Sequence, residues 1–166
     1  AGAAAPAAPR PPGGSSAPRR RPAALPGGVL ADSVEAADHL VRLATAVVLV
    51  DGYNVSMTAW PEEPIDAQRR RLVAALDELH ARTGADPVVV FDGVAAGGAT
   101  VDSRCVRILF TDAAVEADDV VVDLVDGYPP SRPVVVVSSD ERVRRGAAER
   151  GANVVSSAQF LVVLRR

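Results

Sequence analysis

The chain has no lysine: all 18 of its basic residues are arginine. Alongside so much Ala, Val, Gly and Pro, this reads as coding bias and carries no argument about stability. A single cysteine, Cys105, rules out an intrachain disulfide and any cysteine-based zinc cluster, which suits a reducing cytoplasm. It is expected to be a small buried hydrophobe. No apolar run approaches the roughly 18 residues of a membrane span, and the opening residues lack the apolar core of a signal peptide. The expectation is a soluble, cytoplasmic protein with no membrane partner. Since the first residue is alanine and not methionine, a fragment or processed form is expected. A Walker loop and a Gly-x-Gly-x-x-Gly fingerprint are also missing, so nucleoside-triphosphate and dinucleotide binding fall away. No internal repeat is apparent.

What is there divides unevenly. The 166 residues carry a net charge of −3, but residues 1–28 hold four arginines and no acid, leaving 14 arginines against 21 acids, or −7, over 29–166. An acidic domain repels a polyanion unless its acids gather around cations or its arginines cluster. Residues 1–28, rich in Pro, Ala and Gly, are expected to be a disordered tail or linker, and 29–166 one domain. The Arg19-Arg20-Arg21 triplet in that tail reads as a solvated charge run.

Hydrophobic periodicity predicts alternating helices and strands. A short helix is expected between Asp32 and Thr45, then a buried strand at Val47–Val50 running into Asp51. Met57–Pro64 reads as a loop with Trp60 as a hydrophobic anchor. Asp66–Arg82 reads as an amphipathic helix stopped by Gly84. Pro87–Phe91 is a second buried strand ending at Asp92, residues 95–99 a loop, and Arg104–Phe110 a strand near an edge. A helix over Glu116–Val125, a strand at Val134–Val137 running into Asp140, a helix to Arg150, a short strand at Val154–Val155 and a last helix capped by Ser156 or Ser157 complete the chain. This alternation predicts a three-layer α/β sandwich around a mostly parallel sheet.

Asp51, Asp92 and Asp140 each follow a buried strand, and Glu116, Asp118 and Asp119 open a helix. Singly, each has an ordinary explanation: a turn cap, a helix cap, or an acid at a helix dipole. Jointly they converge on the carboxyl edge of a parallel sheet, where open α/β sheets bind ligands. Several carboxylates so close repel one another unless a cation neutralises them. Oxygen donors without histidine or cysteine suit Mg²⁺ or Mn²⁺, which act commonly on phosphate. His39 and His80 lie on helices away from the acids. Phosphatases of the haloacid dehalogenase type need Asp-x-Asp after the first strand, and Tyr53 stands in place of the second acid.

Val-Asp-Gly-Tyr-Asn-Val at 50–55, Val-Val-Phe-Asp-Gly at 89–93, Glu-Ala-Asp-Asp at 116–119 and Val-Ser-Ser-Asp at 137–140 resemble the NYN domain, most closely its YacP-like branch, within the PIN-like nucleases. The likeness runs from about Val47 to Leu164. It implies a PIN-like sandwich and a metal-dependent endoribonuclease of RNA processing or decay, in which Asp51, Asp92, Asp118 and Asp140 hold Mg²⁺ or Mn²⁺. Asn54 would orient a metal-bound water or a phosphate. Asp119 is a reserve ligand and Glu116 an outer one. For RNA contact the candidates are Arg69-Arg70-Arg71, Arg104, Arg107, Arg142, Arg144 and Arg145, with Tyr53 stacking a base. The partner that the resemblance implies is RNA, single-stranded or structured, with ribosome association and oligomeric state left open. The alternatives are a non-catalytic RNA-binding module of the same fold and, more weakly, a phosphatase or a nuclease acting on DNA flaps.

Overall fold

Four valines at 134–137 and the run Val47-Val48-Leu49-Val50 are fully buried strands at the middle of the molecule, whose computed structural model describes residues 17–93, 101–112 and 115–166. In chain order the elements are α1 (Val34–Val41), β1 (Val47–Asp51), α2 (Gly52–Ala59), α3 (Ile65–Thr83), β2 (Asp86–Phe91), β3 (Arg107–Phe110), α4 (Ala117–Asp126), β4 (Val134–Val137), α5 (Glu141–Glu149), β5 (Asn153–Val155) and α6 (Ser157–Leu164). The five strands form one sheet in the order β3-β2-β1-β4-β5, every pair parallel.

Strand alternation sorts the core into two layers. Val48, Val50, Val89, Phe91, Val135 and Val137 face one side, where they meet α1, α2, α3 and α6. Val47, Leu49, Val88, Val90, Val134 and Val136 face the other, against α4 and α5. Burial on both faces is why these strands read as continuous apolar runs rather than alternating ones. The expected three-layer α/β sandwich is the observed one, with the sheet wholly parallel. From β1 the chain winds outward through β2 to β3, then returns to the other side of β1 as β4. The sheet therefore reverses its winding between β1 and β4, which leaves a crevice at their carboxyl ends.

Several local expectations are corrected. α2 starts at Gly52, immediately after β1, so Met57–Ala59 are helical and the loop is confined to 60–64. Gly, Tyr, Asn, Val, Ser and Thr are poor helix formers in isolation; burial of Val55 and a buried Ser56 to Gln68 hydrogen bond of 2.9 Å hold this helix from outside. β3 begins at Arg107, not Arg104. The Ser103 hydroxyl accepts from the backbone N–H of Cys105 and Val106 (3.1 and 2.9 Å), a local turn that competes with strand pairing. That turn also leaves Cys105 exposed rather than buried. α1 is shorter than the span from Asp32 to Thr45. Ser33 caps it, and Thr45 adopts φ 62° ahead of β1. Glu116 precedes α4 rather than opening it. The expected loop at 95–99 and most of the tail lie outside the described residues. Gly84 stops α3 with φ 72°, and Ser156 with Gln159 forms a capping box on α6.

The described part of the N-terminal segment lies along the domain. Arg20 donates to the carbonyls of Val125, Tyr128 and Pro129 at 3.2, 2.7 and 3.1 Å and to that of Arg132. Ala23 exchanges two hydrogen bonds with the side chain of Asn153 on edge strand β5, 2.8 and 3.0 Å.

Candidate active site

Asp51, Asp92, Asp118 and Asp140 line one open cleft of about 420 Å³ together with Tyr53, Asn54, Met57 and Thr58. It lies at the winding reversal described above. Each acid arrives there for a local reason. Asp51 is the last residue of β1 and, at 6% exposed, is buried. Asp92 follows β2, Asp118 sits in the first turn of α4, and Asp140 is the residue preceding α5.

The acids are pinned by partners that sequence reasoning did not name. Ser138 Oγ donates to Asp51 Oδ2 (2.9 Å) and accepts from the Asp140 N–H (3.1 Å). Asp140 Oδ1 accepts from the backbone of Arg142 and Val143 (2.8 and 3.2 Å), so it is also a helix cap. Asp92 Oδ1 accepts from the Ala117 N–H (2.5 Å) and the Thr111 hydroxyl (3.4 Å). Ser138 was visible in the sequence only as part of Val-Ser-Ser-Asp. Thr111 carries no sequence signal at all.

Electrostatics register the crowding. Burial pushes the Asp51 carboxyl up to about 6; the Ser138 hydrogen bond opposes the rise, and Asp118, Asp92 and Asp140 add to it. Asp118 is also raised, by burial first, then by Asp140 and Asp92, against the pull of Arg142. An all-carboxylate oxygen set in which the charges of Asp92 and Asp140 help to raise Asp51 and Asp118 suits a hard divalent cation. Among the described residues, no three acids or histidines converge closely enough to hold an ion as they stand. Asp92 and Asp140 instead accept from backbone N–H groups, Asp92 from Ala117 at the start of α4 and Asp140 from Arg142 and Val143 in the first turn of α5. The donor chemistry fits a divalent cation, which Asp51, Asp92, Asp118 and Asp140 would hold.

The remaining candidates are distributed. Asp119 faces away from the cleft and pairs with Arg142 at 2.8 Å; Glu116 pairs with the same arginine at 3.0 Å. All three are exposed, and the two acids hold Arg142 up by their charge. Arg144 donates to the Ser138 carbonyl at 3.1 Å, beneath the cleft, and Arg145 is exposed on α5. Arg107 sits at the start of β3, 3.9 Å from Asp86 at the start of β2. Its end of the sheet is opposite the acids, and exposed Arg104 precedes it. Arg69 is drawn inward, donating to the Tyr53 hydroxyl (Nε at 2.8 Å) and lying 5.4 to 5.9 Å from the ring centres of Tyr53, Phe91 and Phe110. Arg71 lies 4.6 Å over the Trp60 ring and pairs with Glu63, while Arg70 is exposed. His80 Nδ1 bonds the Ala85 carbonyl at 2.7 Å, away from the acids.

Residues 48–166 match the YacP-like NYN domain. The chain belongs to that family. It is a family of PIN-like nucleases, and the cleft holds the motifs that suggested it. Among solved structures, Rae1 (YacP) from Bacillus subtilis superposes with a TM-score of 0.61 at 25% identity, over 72% of this chain and 73% of that one. A single-residue variant of the same Bacillus protein gives 0.62 at 22% identity, over 72% and 75%. These place the fold of the NYN domain. No curated protein matches the chain.

Proposed function

We propose that this NYN domain is a divalent-cation-dependent endoribonuclease that hydrolyses RNA phosphodiesters in RNA processing or decay. The observation that carries the reading is the meeting of Asp51, Asp92, Asp118 and Asp140 in one cleft at the winding reversal of the sheet, with Asp51 raised to about 6 by burial and its neighbours. Mg²⁺ or Mn²⁺ there would supply a metal-activated water and charge stabilisation for an attack on phosphorus. Asp51 and Asp118 carry the charge that draws the cation in. Asp92 and Asp140, fixed by backbone N–H groups, set the walls, and Asn54 reaches the same space. Arg145, exposed on the helix that follows Asp140, is a candidate for holding phosphates of the strand. No described helix is long and apolar enough to cross a membrane. A cytoplasmic place belongs to the same proposal, supported by the single cysteine.

Incubating purified chain with Mn²⁺ or Mg²⁺ and single-stranded RNA, structured RNA or DNA tests this directly. Metal-stimulated RNA cleavage lost in Asp51→Asn is expected. Cleavage equal in parent and variant, or a preference for DNA, sinks the assignment. The second reading, an RNA-binding module without catalysis, draws on the open spacing of the acids. It predicts RNA retention in EDTA and no turnover.

A further inference from the structure

Asn54 stands on the first turn of α2 and lines the cleft among the four aspartates. Its side-chain oxygen is spoken for. Oδ1 accepts from the Ser139 backbone N–H at 2.8 Å and from the Ser157 hydroxyl at 2.6 Å. A backbone N–H can only donate, so the two ends of the amide are not interchangeable here: turned over, an NH₂ would face an N–H. The Ser157 N–H in turn donates to Ser139 Oγ at 3.0 Å, closing a ring of three hydrogen bonds. That ring ties the start of α2, the connection after β4 and the start of α6. Ser157 itself is fully buried.

We propose that Ser139 and Ser157 fix the Asn54 amide so that its NH₂ group, and not its carbonyl, faces the cleft and holds a phosphate oxygen of the bound strand. The inference rests on the ribonuclease reading and adds to it a division of labour. A carbonyl oxygen has two lone pairs, and both are used by the serines. What Asn54 offers the cleft is therefore two protons and no acceptor. Such a group cannot ligate a cation, and it is repelled by none of the charge that a phosphate brings. Four acids surround it, so it supplies a donor where the rest of the wall supplies acceptors. Donors aimed in advance at a charged oxygen are effective because they need no reorganisation when the charge arrives. Ser157 does not line the cleft; it is a positioning residue acting through Asn54.

Asn54→Asp separates this from the alternative in which the side-chain carbonyl binds the cation. The variant keeps the shape and both bonds from the serines but turns the outward donor into an acceptor. Expected is a loss of Mn²⁺-dependent RNA cleavage on the order of 100-fold, as for removal of one oxyanion donor, with Mn²⁺ binding unchanged or tighter. Cleavage close to that of the parent shows that the outward donor is not needed and overturns the proposal. If the parent cleaves nothing, the ribonuclease reading has failed, and a second measurement still decides this one. The Asn54 side-chain NH₂ signals, followed by ¹⁵N NMR with Ca²⁺ present, are expected to shift when a short single-stranded RNA is added, and to do so less in Ser157→Ala. Signals that do not move at saturating RNA overturn the proposal.

Discussion

Ser138 Oγ donates to Asp51 Oδ2 at 2.9 Å, and this hydrogen bond favours the charged form of the most buried acid in the cleft. It does not win. Burial, with Asp118, Asp92 and Asp140 behind it, still lifts the carboxyl to about 6 from an ordinary 3.8.

The sign of the consequence follows from linkage. The folded chain holds the Asp51 proton more tightly than the unfolded chain, so this group's contribution to stability is fully present below 3.8 and is lost as pH rises through about 6. At roughly 1.4 kcal/mol per pH unit, the loss is on the order of 3 kcal/mol. Asp118 acts in the same direction. Asp51→Asn, which never ionises, is expected to be more stable than the parent in EDTA at pH 7.5, and nearly equal to it at pH 4. Urea midpoints for the pair at both pH values measure the difference, and a less stable variant at pH 7.5 contradicts the account.

The same strained charge predicts how a cation acts on the fold. An ion that binds only the folded chain stabilises it, by about 2.7 kcal/mol at a concentration one hundred times its dissociation constant. Protons compete for Asp51, so Mn²⁺ is expected to raise the melting temperature more at pH 7.5 than at pH 5. In Asp51→Asn the increment should shrink strongly at both. An undiminished increment in the variant would place the ion elsewhere.

Much of this site was legible because its chemistry and its topology use the same residues. Asp51, Asp92 and Asp140 follow uninterrupted apolar runs, and a doubly covered parallel strand produces such runs and such ends. Of the adjacent pair, Asp118 lines the cleft and Asp119 does not, since successive helical residues point about 100° apart. What was not legible depends on long-range contacts. α2 has little intrinsic helical preference and is held by Val55 and by Ser56 with Gln68. The Arg69 guanidinium reads as one third of an exposed basic triplet, yet it lies against three aromatic rings contributed by α2, β2 and β3. Arg107 alternates into a strand as expected, but strand direction puts it at the end opposite the acids.

Gly52 is the hinge between β1 and the donor-bearing turn of α2. A Cβ there would strike the Phe91 ring and come within 2.8 Å of the Val90 carbonyl, which is backbone and cannot swing away. Overpacking of this kind costs about 1–3 kcal/mol. Gly52→Ala is therefore expected to fold less stably and, by pushing α2 off β2, to lose RNA cleavage beyond what the stability loss explains. Measuring cleavage at a temperature where the variant is fully folded isolates the second effect. Full activity there would mean that Tyr53 and Asn54 tolerate displacement.

The N-terminal segment offers the last test, because its composition and its contacts disagree. Pro, Ala and Arg suggest a solvated linker up to residue 28. Arg20 nevertheless donates to the carbonyls of Val125, Tyr128, Pro129 and Arg132, where α4 ends and exposes backbone acceptors. Gly151, at φ 82°, leaves room for the Arg20 backbone; a Cβ there would come within 2.7 Å of its carbonyl carbon. Ala23 covers part of edge strand β5 through Asn153, and Leu25 packs on the core. Hydrogen bonds to a charged group contribute about 1.5–3 kcal/mol when buried; Arg20 is half-buried, so Arg20→Ala should cost about 1–2 kcal/mol. A chain starting at residue 29 should lose more than Arg20→Ala, since it also uncovers the β5 edge and the surface under Leu25. Chemical denaturation of 17–166, 29–166 and Arg20→Ala ranks them. Equal midpoints for the two lengths would return the segment to the role of a linker.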